Sequence, residues 1–376
     1  MQNPLHLVID GIIYQSQSMG GISRLFTEIL PRMCAQDEAV DMTLFVVGNS
    51  SQALPAHPRI HPLRIFDPQP FMRPSFLWRS LEEPARKAMM RLRLGTGQGK
   101  IWHSTYFSEP GRWEGRKVYT VADMIHERYP DLFFGPGGDA FRALRKRCVL
   151  SADAVLCISE ATRNDIREIY DWDSDRLHVV HLAGSDFFRP LRDGESESNH
   201  PGERPFLLYV GSRAHYKNFD GLLRAYSRWA ERCDVGLLAV GAPWTPVEAD
   251  LLRKLGLADQ VRLLTNVDDE SLCRLYNRAA AFLYPSLYEG FGIPLLEAMA
   301  SGCPVVASRI ATTVEVAGDC PIYFDPIDGD SLLAALDQVM GEGRDSNRTR
   351  AALAHAGRYS WDRTAAETLR VYRSIA

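Results

Sequence analysis

Short apolar runs alternate with amphipathic stretches from the start of the chain. Runs at 5–9, 43–47, 101–103, 118–121, 154–158 and 177–182 are too short for helices and are separated by segments of helical spacing. They predict parallel strands buried on both faces, with helices as the crossovers between them. After Asp186 this rhythm stops, and the polar, Gly/Pro/Ser-rich stretch 187–204 has the character of a linker. The alternation then restarts at 206–210, 235–240, 261–264, 282–284, 305–307 and 322–324. Two doubly wound α/β domains are therefore expected, 1–186 and 205–357, and a cleft between two such domains is a favoured small-molecule site. The last segment, 361–372, has apolar residues at helical spacing. It predicts a helix that packs either on its own domain or back on the first.

Composition narrows the class. A chain of 376 residues agrees with two domains at about 150 residues each. With 45% hydrophobic residues, 24% charged residues and a net charge of -4, it reads as an ordinary globular protein and argues against wholesale nucleic-acid binding. The seven cysteines form no C-x-x-C pair, and several lie inside apolar runs, as expected of reduced thiols in a cytosolic protein. No apolar stretch approaches the roughly 18 residues of a spanning helix, and the start lacks a charged and then apolar leader. The expected location is cytoplasmic. Segment 86–100, RKAMMRLRLGTGQGK, carries five cations and no acid. It reads first as a solvated helix with an apolar packing face, and second as a peripheral contact with the anionic inner-membrane surface.

The densest chemistry lies in 282–308, FLYPSLYEGFGIPLLEAMASGCPVVAS. Two strand-like runs flank a helix that starts near Pro294 and stops at Gly302, which places Glu289 in a strand-to-helix loop and Glu297 inside the helix. Loops leaving the carboxyl ends of parallel strands line the ligand crevice of such sheets. Backbone N–H groups at Phe291, Gly292 and Ile293, beside Gly290 at a helix start, suit phosphate, and the two carboxylates suit sugar hydroxyls. The implied ligand contains phosphate and sugar.

Four other strand-to-helix junctions carry candidate residues. Gly211, Arg213 and Lys217 follow the first strand of the second domain, where two cations suit a diphosphate. Gly20 and Gly21 precede the first long helical pattern and allow close backbone approach. Asp123 and His126 follow the strand 118–121, and Val267 sits in the loop after 261–264. No histidine, cysteine or carboxylate set has metal-ligand spacing, so no metal is expected.

The segment 282–308 closely resembles the EGFG-P-LEA-A-G-PV signature of retaining glycosyltransferase family 4, whose members have the GT-B fold: two Rossmann-like domains facing across a cleft. The resemblance implies a nucleotide diphosphate sugar as co-substrate, no resident cofactor, metal-independent transfer, and a glycan or lipid-linked saccharide as acceptor. It implies that Glu289 contacts the transferred sugar, Glu297 the ribose, and Arg213 and Lys217 the diphosphate. Gly20 and Gly21 would face donor phosphates and acceptor, Val267 would belong to the base pocket, and the last helix, 358–376, would cross back to the first domain. Two departures stand out. Ser212 is inserted in the family's GR-x3-KN motif, and Ala122 replaces a histidine near the reacting sugar, which leaves that role vacant or moved to His126. Within the family the chain looks most like bacterial mannosyltransferases of O-antigen or capsule assembly, with GDP-mannose as donor. A sugar-nucleotide epimerase and a catalytically silent binding subunit are the alternatives.

Overall fold

The computed structural model describes residues 3–16, 20–48, 50, 52–65, 88, 90–133, 135–192, 195 and 204–376. Contacts divide it into two units, Met1–Leu182 with Trp361–Ala376, and Ala183–Ser360. Among the described residues seven strands form the first sheet: β1 (Leu5–Asp10), β2 (Val40–Val47), β3 (Ile60–Ile65), β4 (Lys100–Ser104), β5 (Arg116–Val121), β6 (Ala154–Cys157) and β7 (Leu177–Val179). All are parallel, in the order β3-β2-β1-β4-β5-β6-β7. The second sheet has six parallel strands: β8 (Phe206–Val210), β9 (Gly236–Val240), β10 (Val261–Leu264), β11 (Ala281–Tyr284), β12 (Val305–Ser308) and β13 (Ile322–Phe324), in the order β10-β9-β8-β11-β12-β13.

In both sheets the order reverses beside the first strand, between β1 and β4 and between β8 and β11. Loops leaving the strands diverge at such a switch point, and a crevice opens where ligands bind. Helices that matter for the sites are α1 (Gly21–Gln36), α2 (Pro136–Leu150), α3 (Glu160–Tyr170), α4 (Phe219–Tyr226), α5 (Pro246–Lys254), α6 (Asp269–Arg278), α7 (Ile293–Ala300) and α8 (Trp361–Ile375).

Two features differ from the sequence reading, and one agrees with it. Strand β3 was not expected, because His61, Pro62 and Arg64 interrupt its apolar pattern. It survives as an edge strand, the one setting where proline's missing N–H and exposed charges are tolerated. The unit boundary falls at Leu182 rather than Asp186, and the first residues of the expected linker are packed. Phe188 meets the edge of Tyr276, with ring centroids 5.7 Å apart. The Leu191 N–H donates to Asn277 Oδ1 at 2.9 Å, and Asn277 Nδ2 donates to the Arg189 carbonyl at 2.9 Å. Residues 193–194 and 196–203 lie outside the described residues. In the basic segment, Met90 and Leu94 pack with Val8, Phe45, Ile65 and Trp102, whereas Leu92 is 82% exposed. Arg86, Lys87 and Met89 lie outside the described residues. No described helix is long and apolar enough to cross a membrane.

Helix α8 packs on α1 and belongs to the first unit. Its polar ties are specific: Thr364 Oγ1 donates to the His181 carbonyl at 2.8 Å, and Arg373 pairs with Asp37 at 2.5 Å. Deeper in, His103 on β4 contacts the Tyr372 hydroxyl through Nδ1 and Thr120 Oγ1 through Nε2 at 2.9 Å. Burial depresses the His103 pKa to about 3, so the folded protein holds it neutral. The unfolded chain takes up that proton near pH 6.5, so the stability is fully present above that value and is lost as pH falls toward 3. The slope approaches about 1.4 kcal/mol per pH unit for one such histidine. We expect the first unit's Tm to fall between pH 7 and pH 5 by calorimetry, and to fall less in His103→Gln; parallel profiles would rule His103 out as the acid-sensitive group.

Candidate active site

At the second switch point, the loops after β8 and β11 bring Lys217 and Glu289 together. Lys217 Nζ lies 2.7 Å from Glu289 Oε1 and 2.8 Å from Oε2. The ammonium also sits near the rings of Tyr216 and Tyr284, at 5.3 and 5.9 Å from their centroids. The Leu287 N–H donates to the Tyr216 carbonyl at 2.7 Å, which ties the two loops directly. Local sequence explains the turn before α4. Asn218 takes a left-handed φ of 54°, and its side-chain amide donates to the Pro326 carbonyl at 2.8 Å. A Cβ on Gly221 would fall 2.3 Å from Asn218 Oδ1, so a larger residue there would push the Asn218 side chain out of this position.

Glu289 is fixed from its own side as well. Ser286 Oγ donates to Oε1 at 2.6 Å, and Thr312 Oγ1 donates to the Glu289 carbonyl at 2.7 Å. Burial raises the Tyr284 pKa well above the phenol range, with the Glu289 charge adding to it, so its hydroxyl stays protonated. Neither Ser286 nor Thr312 was singled out from sequence. Ser286 was readable as a polar residue three before an acid in an apolar loop, a spacing that lets a hydroxyl reach back.

Gly292 caps α7 with φ 107°, a conformation that favours glycine and starts the helix at Ile293. Phe291 is buried edge-on against Tyr359, with centroids 5.9 Å apart. Glu297 is buried on α7 beside Gly184. Val267 is half-buried between Asn266, at φ 55°, and Asp268, which caps α6 by accepting from the Ser271 N–H at 2.8 Å. Gly211 has φ 138°, and a side chain there would meet open space. Its conformation, not crowding, calls for glycine.

Arg213, expected at the diphosphate, is engaged by other groups of its own unit. Its side chain is 4% exposed, and Nε lies 2.6 Å from Glu248 Oε1 on α5. Nη2 donates to the Ala242 and Pro243 carbonyls at 2.8 and 3.0 Å, and the guanidinium lies 4.5 Å from the Trp244 ring centroid. Nη1 is buried and has no hydrogen-bond partner among the described residues. Burial opposes the charge on Glu248, but hydrogen bonds from Arg213 and Thr245 outweigh it and hold its pKa below the usual carboxylate range. Gly241 makes room for this arrangement, since a Cβ there would sit 2.9 Å from Nη1.

In the first unit, Gly20 and Gly21 are exposed at the start of α1, while residues 17–19 lie outside the described residues. The switch point itself is organised by Asp10, which sequence reasoning passed over as the last residue of a strand. Its buried carboxylate accepts from Ser104 Oγ at 2.6 Å, the Thr105 N–H at 2.8 Å, Thr105 Oγ1 at 2.7 Å and Ser108 Oγ. Asp123 and His126 follow β5 as expected, but they have different surroundings. Asp123 accepts from the Ile125 N–H at 3.0 Å. His126 is packed between Phe133 and Phe141, at centroid distances of 4.1 and 4.7 Å. Burial and then the Arg145 charge lower its pKa, so it is a neutral packed ring and not an exposed proton donor. Among the described residues, no group of three or more His, Cys, Asp or Glu could hold a metal ion.

Comparison with known proteins gives consistent matches. The model for Glycosyltransferase Family 4 matches residues 19–183, and that for glycosyl transferases group 1 matches 193–358. The chain is 30% identical over 380 residues to O-antigen chain mannosyltransferase B of Escherichia coli, spanning 94% of this chain and 96% of that one. It is 29% identical over 252 residues to O-antigen chain mannosyltransferase RfbU of Salmonella typhimurium, spanning 66% and 67% of the two. Among solved structures, sucrose-phosphate synthase from Thermosynechococcus elongatus superposes with a TM-score of 0.78 at 18% identity over 98% of each chain, a likeness of fold.

Proposed function

Since this chain belongs to glycosyltransferase family 4 and has the GT-B fold, we propose that it transfers mannose from GDP-mannose, with retention of configuration, to a glycan or lipid-linked saccharide in O-antigen-type polysaccharide assembly. The second unit binds the donor and the first binds the acceptor. One observation carries the reading: an ammonium and a carboxylate, Lys217 and Glu289, are held together at a switch point beside a helix that starts on glycine. The relatives' mannosyl specificity supplies the sugar.

In the proposed reaction the bond between the anomeric carbon and the phosphate oxygen breaks, and a bond from that carbon to an acceptor oxygen forms on the same face. The acceptor proton passes to the departing phosphate oxygen. Positive charge builds on the sugar and negative charge on the diphosphate. Lys217 and the N–H groups at Phe291, Gly292 and Ile293 offset the negative charge, so no metal is required. Glu289 accepts hydrogen bonds from the transferred sugar, and Glu297 from the ribose. Arg213 reaches the diphosphate only by exchanging Glu248 for it; without that exchange it secures the loops after β8 and β9.

A thermal-shift panel tests the donor. GDP-mannose and GDP should raise Tm, by an amount equivalent to about 2.7 kcal/mol at a hundredfold excess over Kd. UDP and ADP should leave it unchanged. Stabilisation by UDP alone would overturn the guanine assignment. An early product with inverted anomeric configuration by NMR would overturn retention.

A further inference from the structure

Resting on the transfer reaction proposed above, we propose that the first unit takes its acceptor sugar on Tyr106, the end ring of an aromatic row continued by Phe141, His126 and Phe133, with Asp123 at the edge receiving sugar hydroxyls. The row is continuous. Tyr106 stacks on Phe141 with centroids 5.5 Å apart and planes 26° apart, Phe141 meets His126 at 4.7 Å, and His126 meets Phe133 at 4.1 Å.

All four rings are half-buried, whereas Phe107 behind them is buried. A half-buried ring keeps part of its apolar surface in water, and a ligand that covers it gains about 25 cal/mol per Å2. Their place in the sheet supports the same reading. Tyr106 follows β4 and His126 follows β5, at the carboxyl ends where the crevice of an open sheet lies.

A pyranose has one face of C–H groups and a rim of hydroxyls. The C–H face is attracted to the negative face of an aromatic ring and sheds water on contact, while the hydroxyls demand acceptors. Asp123 provides one. Its side chain is 34% exposed, Oδ1 is held by the Ile125 N–H, and Oδ2 carries no hydrogen bond among the described residues. It also lies close enough to Tyr106 to help burial raise the phenol's pKa, so the two polar groups border the same row.

The row is rigidly backed. The Arg145 guanidinium lies 5.6 and 5.8 Å from the Phe107 and Phe141 centroids, and its Nη1 donates to the Asp123 carbonyl at 3.2 Å. A neutral His126 adds no competing charge to the stack. Hydroxyl-rich neutral sugar is the occupant that uses both the aromatic surface and a carboxylate whose charge already faces Arg145 Nη1 at 3.8 Å.

Methyl α-mannopyranoside serves as the probe, followed by saturation-transfer NMR on the whole chain. Irradiating aromatic protons of the wild type should saturate the pyranose C–H protons; saturation of the aglycone methyl alone overturns the proposal. Tyr106→Leu should weaken probe binding at least tenfold, and Tyr106→Phe should restore it, which a purely structural role for the ring would not require. The GDP-mannose thermal shift, read in parallel on Tyr106→Leu, separates the two hypotheses. An intact shift with unchanged probe binding refutes the aromatic row and spares the donor assignment. An absent shift in wild type and variant, with probe binding lost only in the variant, refutes the donor and sustains the row. If Tyr106→Leu does not fold, the wild-type saturation pattern alone decides.

Discussion

Glu289→Gln should lower kcat for mannosyl transfer by about a hundredfold or more, with the chain still folded and still stabilised by GDP. The magnitude follows from what one preorganised polar group at a reacting sugar is worth, about 3 to 4 kcal/mol of transition-state stabilisation. Glutamine keeps the volume and one acceptor oxygen, and Ser286 can still donate to it. What it loses is the negative charge that draws Lys217 to within 2.8 Å and that meets the positive charge growing on the sugar. Lys217 then loses the charge of Glu289 as a partner and can turn toward the diphosphate. GDP affinity should therefore hold steady or rise while turnover collapses, a split that a folding defect would not produce. Steady-state transfer and GDP thermal shift, measured on the same preparation, check it. Unimpaired turnover would remove Glu289 from the reaction.

What could be read from sequence was whatever depends on neighbours in the chain. Glu289, Gly292 and Glu297 lie within one strand-loop-helix unit, so glycine, proline and apolar spacing fix their elements without knowledge of the rest. The same locality placed Lys217 on a loop after β8, and alternation found both sheets. Failures came where the deciding partner is distant. Arg213 and Lys217 looked equivalent as cations flanking a turn, yet Glu248, on another helix, takes the first and Glu289 takes the second. Nothing in the spacing distinguishes those outcomes. His126 looked like a polar group entering a crevice, but Phe133 and Phe141 close over it. Asp10 was hidden for a related reason: a carboxylate ending an apolar strand declares itself only when the hydroxyls of Ser104, Thr105 and Ser108 arrive from the neighbouring strand's loop.

The largest stability effect should come from a pair that the sequence did not reveal at all. Arg145 on α2 donates from Nε to Glu127 Oε1 at 3.1 Å, and Tyr170 on α3 donates its hydroxyl to the same oxygen at 2.9 Å. Both charged side chains are buried. Two charges removed from water are stable there only as a pair, so the energetic weight lies in leaving one of them alone and not in the bond itself. Arg145→Met strands the Glu127 carboxylate with one phenol as donor and should cost about 3 to 5 kcal/mol. For a unit of this size that is roughly 10 °C in Tm. The double variant Glu127→Gln/Arg145→Met buries no unpaired charge and should recover a substantial part of the loss. The same arginine backs Phe107 and Phe141 and holds the Asp123 carbonyl, so the double variant should remain weak for saccharide even where stability returns. Calorimetry on the two variants, with methyl α-mannopyranoside binding measured alongside, separates the contributions. If the single variant is no less stable than the double, the buried pair is not what secures the loop after β5.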